Sequence, residues 1–222
     1  MNQFFETYSD LKYLLNRNYR KKSALDFVAN HYGLNRLERY FFGRCVFSDS
    51  HLEIVNKKRT DLTEFSKSKS FAIDGFNVLI TLKSLIEGVA IVCEDNVIRD
   101  LKYQKGYKLT EKSEETIEII LKSILDLNLN SFDVYFDEQT SKSGEISKMT
   151  RNLMGKYSIS GEVILSKKVD FELKQYDFVA TSDFHIIKNV MGFLDLPKMV
   201  SKNYSLEIKN FMDIIKKGKL EF

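Results

Sequence analysis

Only two cysteines, three histidines and one proline occur among 222 residues, so the side chains that most often mark a staple, a zinc site or a rigid turn are nearly absent. Cys45 and Cys93 stand far apart without a CxxC spacing, which argues against a disulfide framework and against a cysteine zinc site and makes a reducing cytoplasm the expected setting. No HExxH helix and no Ser-His-Asp elbow is present, so zinc-protease and serine-hydrolase chemistries fall away. No apolar run approaches the roughly 20 residues that cross a bilayer, and no signal-peptide pattern appears, so no membrane partner is expected. Internal repeats, low-complexity tracts and a Walker phosphate loop are missing as well.

What is present is the composition of a globular chain, 43% hydrophobic and 29% charged, long enough for one ordinary domain and a smaller appendage. The formal net charge of +3 is unevenly spread: residues 1–70 hold 13 Lys and Arg against 8 Asp and Glu, and the remainder 21 against 23. A basic front and a mildly acidic body suit a protein that attracts a polyanion at one end and gathers carboxylates at the other; ordinary surface variation is the plainer account. From Tyr8 to Phe47 apolar residues recur at three and four, which predicts helices. Two of these join around Gly33, with Asn35 and Glu38 spaced as a capping box. The pair resembles a helix-turn-helix, and Arg36, Arg39 and Arg44 on its second helix could face phosphates, although simple packing explains such a pair equally. The lysine-rich stretch 56–69 reads as a linker, so a helical segment is expected over 1–65 and an α/β domain over 66–222.

The α/β part is organised around SFAIDGFN, residues 70–77, an apolar strand that stops on Asp74, with Gly75 allowing a sharp turn and Asn77 close behind. FDVYFD ends on Asp137 and DFVATSD on Asp183, and strands alternating with helices predict a largely parallel sheet covered on both faces. Three acids at one sheet edge repel unless protonated or neutralised, which points to Mg2+ or Mn2+; the competing account is that they merely end strands and cap turns. A long helix opening at Thr110 offers Glu111 or Glu114 as a fourth oxygen donor, and both are expected beside Asp74. VAIVCED reads as a second buried strand closing on Glu94 and Asp95, and the polar stretch after it as a loop carrying Arg99 and Asp100; Asp95, Arg99 and Asp100 are candidate metal and phosphate groups. Ser141, Lys142 and Ser143, with Ser143 as helix N-cap, form a candidate phosphate cradle, and Lys142 could stabilise a transferring phosphate. Asn77 could orient a nucleophile. His31 and His51 read as packing or surface residues, whereas His185 falls two residues after Asp183, near the expected metal.

IDGFNVL, the acidic turn after TEK, YFDEQTSKSGE and VATSDFHII together resemble the PIN-like nuclease superfamily. They are most similar to an uncharacterised prokaryotic family in which an N-terminal helical segment precedes a PIN-like domain. The resemblance covers nearly the whole chain and implies a three-layer α/β/α fold with metal-dependent cleavage of RNA, more than of DNA. Asp74, Asp137 and Asp183 match the superfamily's strand-end acids; TEK favours Glu111 and helical projection Glu114 for the helical acid, and Asp95 or Asp100 lies outside the general pattern. The alternatives are a non-catalytic nucleic-acid-binding or adaptor protein on the same scaffold, and a nucleotide binder at the sheet's switch point. The oligomeric state is open between monomer and homodimer.

Overall fold

A computed structural model describes residues 2–60, 70–102, 107–127, 129 and 131–220. The chain opens with four helices, α1 (Gln3–Asn16), α2 (Lys21–His31), α3 (Arg36–Cys45) and α4 (Asp49–Lys58). Local chemistry fixes their ends. Asn2 caps α1 by accepting from the Phe5 N–H at 2.8 Å, Gly33 takes φ 62° between α2 and α3, and the Asn35–Glu38 capping box forms as its spacing predicts.

The apolar stripes of these helices meet in a core built on Phe4, Leu11, Val28, Phe41 and Phe42, but they do not close it alone. Ile91 and Cys93 come in from the middle of the chain, and Phe211, Ile214 and Ile215 from a C-terminal helix, α11 (Phe211–Lys217). The Phe41 and Phe211 rings stack at 5.5 Å, and the Asn2 side-chain amide donates to the Ile215 and Lys216 carbonyls. The helical segment and the end of the chain thus share one core. The expected boundary near residue 65 lies outside the described residues.

The main sheet is five-stranded and parallel, in the order β5 (Val163–Ser166), β4 (Asp133–Asp137), β1 (Phe71–Asp74), β6 (Phe178–Ala180), β7 (Gly192–Leu194). The chain leaves β1, builds outward through β4 and β5, then crosses to the other side of β1 for β6 and β7. This makes the C-terminal edge of β1 a switch point, where helices diverge to opposite faces and leave a crevice. On one face Ile73, Val134, Phe136 and Ala180 pack beneath α5 (Gly75–Ile86), α6 (Ser113–Leu125) and α7 (Ser143–Lys156). On the other, Ala72, Tyr135 and Val179 pack with Leu173 of α8 (Val169–Leu173) and Ile186 of α9 (Phe184–Ile187). The sole proline, Pro197, sits in the first turn of α10 (Leu196–Asn203), where its missing N–H removes nothing.

One part of the chain differs from its sequence reading. The stretch read as a polar loop contains β3 (Ile98–Asp100), which pairs antiparallel with β2 (Ala90–Val92), itself parallel to β8 (Lys209–Asn210), so a second sheet of three short strands stands apart from the first. Alternation of charge along IRD concealed it, because all three residues are buried and the two charges are paired. The cysteines, remote in sequence, lie with their sulfurs 3.2 Å apart, both buried and both free thiols. Among the described residues no helix is long and apolar enough to cross a membrane.

Gly75 is required for closeness rather than for a sharp turn. A Cβ there would stand 2.4 Å from a Phe136 ring carbon and 2.7 Å from the Tyr135 carbonyl oxygen, so α5 starts in contact with β4 only because the side chain is missing. Gly75→Ala is expected to lower stability by about 1–3 kcal/mol, the usual cost of overpacking. Urea unfolding with an unchanged m value would show it, and a midpoint equal to that of the wild type would refute it.

Candidate active site

Parallel register places three acids around one notch. Asp74 pairs with Tyr135 on β4, and Ile73 with Ala180 on β6, so Thr181 is level with Asp74 while Asp137 and Asp183 each lie two residues further along the flanking chains. Side chains two residues apart on a strand share a face, so Asp137 follows Tyr135 onto the face that carries Ala72 and Asp74. A cleft of about 650 Å³ opens there, lined by Asp74, Asn77, Asp137 and Asp183. The turn from β5 into α8 adds Asp170, Lys167 and Lys168.

Each acid is held by a short local bond. Thr181 Oγ1 donates to Asp74 Oδ2 at 2.8 Å, the Gln139 N–H donates to Asp137 Oδ1 at 2.8 Å, and the His185 N–H donates to Asp183 Oδ1 at 2.6 Å, capping α9. Asn77 accepts through Oδ1 from both the N–H and the hydroxyl of Ser182 at 2.9 Å, which ties α5 to the segment carrying Asp183. Burial pushes the Asp74 carboxyl up to about 7, and the charges of Asp183 and Asp170 add to the rise; the Thr181 hydroxyl and the Asn77 backbone N–H oppose it. Such a carboxyl is partly protonated near neutral pH. The donors are hard oxygens, the chemistry of a Mg2+ or Mn2+ site. Among the described residues no three His, Cys, Asp or Glu side chains stand close enough together to form a ready-made metal group.

The other sequence candidates fall elsewhere. Glu111 lines a different concavity with Lys83, Ile86 and Glu87, at the end of α5 opposite to Asp74. Glu114 is exposed in the first turn of α6, which begins at Ser113 rather than Thr110. The helix that feeds β4 arrives by way of the second sheet, so it does not start beside β1 as a simple β-α-β unit would require. Asp95 is buried with both oxygens committed, each 2.7 Å from an Arg99 nitrogen and one 3.1 Å from His51 Nε2. Lys142 is itself the left-handed N-cap of α7, and its ammonium pairs with Glu145 at 2.5 Å. Ser143 is the first residue of that helix rather than its cap, and its hydroxyl donates to the Glu138 carbonyl. Ser141 is exposed and lies outside the cleft, whose rim at this point is Gln139 and Thr140. Arg39 donates to the Leu34 and Ala29 carbonyls and to Asn30, fastening the α2–α3 turn, and Arg36 is exposed on the same short helix. Asp170 was missed. Its signal was an acid shortly after a strand: three residues separate it from Ser166 at the end of β5, whereas Asp74 and Asp137 are the last residues of their strands and Asp183 follows the end of β6 after two.

Residues 63–199 match a family model described as "Domain of unknown function (DUF5616)", and residues 3–58 match one described as "Protein of unknown function (DUF434)". The chain is also 44% identical over 191 residues to "Uncharacterized protein MJ0935" of Methanocaldococcus jannaschii, a match that covers 84% of this chain and 91% of that one. No solved structure matches it.

The raised Asp74 has a consequence for stability. A carboxyl with its folded pKa near 7 and its ordinary value at 3.8 binds a proton more readily folded than unfolded, so its contribution is intact below pH 4 and is lost as pH rises through about 7. Asp74→Asn is therefore expected to raise Tm at pH 8 by about 2 °C or more, one kcal/mol being worth roughly 2–4 °C in a chain of this size. The gain should vanish at pH 4. Thermal unfolding of both proteins at the two pH values checks it, and a variant less stable than wild type at pH 8 would contradict the burial argument.

Proposed function

This chain belongs to the family described as "Domain of unknown function (DUF5616)", and we propose that its cleft makes it a metal-dependent phosphodiester hydrolase acting on nucleic acid, RNA before DNA, on a PIN-like scaffold. The observation that carries the reading is the convergence of Asp74, Asp137, Asp183 and Asp170 on one cleft at the switch point of a parallel sheet, with Lys167 and Lys168 on its rim. Four acids in one cleft mark a cation site more readily than a site for any anionic ligand alone; the Asp74 carboxyl is raised first by its burial, and the charges of Asp183 and Asp170 add to that rise.

Asp74 and Asp183 would hold the ion, with Asp137 and Asp170 within the same cleft to receive a second or to hold its waters. Mg2+ keeps most of its water and is commonly bound through one or two carboxylates and the phosphates of the substrate, so a two-carboxylate seat meets its needs without a preassembled cage. When bound, such an ion supplies a water acidified toward neutral pH and shields the phosphodiester that the water attacks. The residues of the chain do the rest. Lys167 and Lys168 draw the phosphate backbone to the rim, Thr181 fixes the rotamer of Asp74, and Asn77 holds the Asp183 segment through Ser182.

One observation favours the second reading, a nucleic-acid-binding protein without turnover: among the described residues no three potential ligands are gathered in advance. The two readings part in one experiment. Labelled single-stranded and hairpin RNA incubated with the protein should be cleaved with Mn2+ or Mg2+ and left intact with EDTA. An Asp74→Asn, Asp183→Asn double variant should cut at least about 100-fold more slowly, since even outer-shell changes around a metal cost 10–100-fold. Binding that weakens with salt but gives no product under any of these conditions would establish the second reading instead.

A further inference from the structure

A second concavity, of about 350 Å³, abuts the acidic cleft; Asn77 and Asp183 line both. Its far wall comes from the helical segment, through Lys21 at the start of α2, Arg44 on α3 and His51 on α4. Its near wall is Arg99 and the segment from Ser182 to His185. The charge is reversed relative to the cleft: among the described residues Asp183 is the one carboxylate on a lining that carries Lys21, Arg44 and Arg99.

Of these three cations, Arg99 is already saturated by Asp95 and by the Ser182 carbonyl. The other two are not. Arg44 gives one nitrogen to Asp100 at 3.1 Å, but its Nε is buried and has no hydrogen-bond partner among the described residues. Lys21 has its ammonium 3.8 Å from the Phe47 ring centroid and, among the described residues, neither a carboxylate nor a hydrogen-bond acceptor. Burial, and then repulsion from Arg99, push its amine down to about 8. It also occupies the first turn of a helix whose N-cap, Arg20, makes no side-chain bond and whose first turn carries no acid. A cation is disfavoured there by the helix dipole, and a free helix N-terminus favours an anion. A buried donor without an acceptor on Arg44 and a half-buried ammonium without a counter-charge on Lys21 call for a ligand that brings oxygens and negative charge.

We propose that this pocket seats a terminal phosphate monoester of a nucleic-acid strand, whose chain then runs past Asn77 and Asp183 into the acidic cleft. A monoester carries about −1.5 to −2 at neutral pH and three free oxygens, against a single charge on a mid-strand diester, so it answers both the Lys21 ammonium and the donors of Arg44 that Asp100 leaves free. One wall of the pocket is the stack Phe47, His51, Phe184, with ring centroids 4.0 and 3.8 Å apart, so no base can insert between these rings. The consequence for cleavage rests on the hydrolase reading of the cleft; the phosphate seat itself does not.

The test therefore omits metal. In EDTA, fluorescence anisotropy compares RNA hexamers bearing a 5′-phosphate, a 3′-phosphate or hydroxyls at both ends. One of the phosphorylated ends should bind at least about tenfold more tightly than the hydroxyl form, the size of one or two charge-assisted hydrogen bonds. Which end does so identifies the polarity of the strand. Lys21→Met and Arg44→Gln should each reduce that preference, and Lys21→Arg should keep it, a rescue that a merely structural role for Lys21 would not give. Equal affinity for all three hexamers, or a full preference retained by both neutralised variants, overturns the proposal. A preference that persists while no RNA is cut with any metal sinks the hydrolase reading and leaves the seat standing.

Discussion

The buried pair of Asp95 and Arg99 is the contact through which the parts of the molecule are fitted together. Arg99 on β3 places two nitrogens on the two Asp95 oxygens, a third bond on the Ser182 carbonyl, and its guanidinium over the Phe47 ring at 4.8 Å. Asp95 in turn takes the His51 ring, and its backbone carbonyl accepts from Arg59 at the end of α4. Burial alone would raise the Asp95 carboxyl, yet Arg99 and the His51 bond hold it far below its ordinary range, and Arg99 is correspondingly more basic. A pair of this kind adds little net stability over an apolar replacement, but deleting one partner strands the other charge at a cost of about 3–5 kcal/mol. Its value here is positional. It sets the helical segment, the small sheet and the segment before Asp183 at fixed distances from one another.

That fixing explains how an acidic cleft and a cationic pocket can adjoin without collapsing onto each other. Arg44 is restrained by Asp100, Lys21 by its packing over Phe47, and Asp183 by its bond as the α9 cap. The linings of the two concavities are thus held apart by rigid scaffolding. Burial first, and then neighbouring charge of like sign, raises the Asp74 carboxyl and lowers the Lys21 amine.

The sheet and its acids were legible because their signals are local. A parallel strand buried on both faces is an apolar run, and the residue at which the run stops marks the edge, so FAID, DVYFD and FVATSD announced Asp74, Asp137 and Asp183 without any long-range information. The capping box at Asn35 was legible for the same reason. What stayed hidden depends on pairing between distant segments. Arg99 and Asp100 look like loop charges until their partners, Asp95 and Arg44, are known. Glu111 looked like a neighbour of Asp74 because the intervening small sheet has strands of only two and three residues, too short for a periodic signal, and it redirects α6. The contact of Cys45 with Cys93, and the sharing of one core by α1 and α11, are likewise products of topology.

The segment Thr181-Ser182-Asp183 is where these constraints converge, and its three residues divide the work by the alternation of an extended chain. Thr181 turns to Asp74 and Asp183 to the cleft, while Ser182, between them, presents its N–H and hydroxyl to Asn77 and its carbonyl to Arg99. Asn77 and Arg99 belong to different sheets' surroundings, one on the helix after β1 and the other on β3, so Ser182 is held from both sides at once. A shift of the helical segment relative to the main sheet would pull on Arg99 through Asp95 and His51, and Ser182 would carry the displacement to both flanking residues. The acid that borders both concavities is therefore positioned by the same chain of bonds that joins the two halves of the protein, and the cleft and the pocket cannot be rearranged independently.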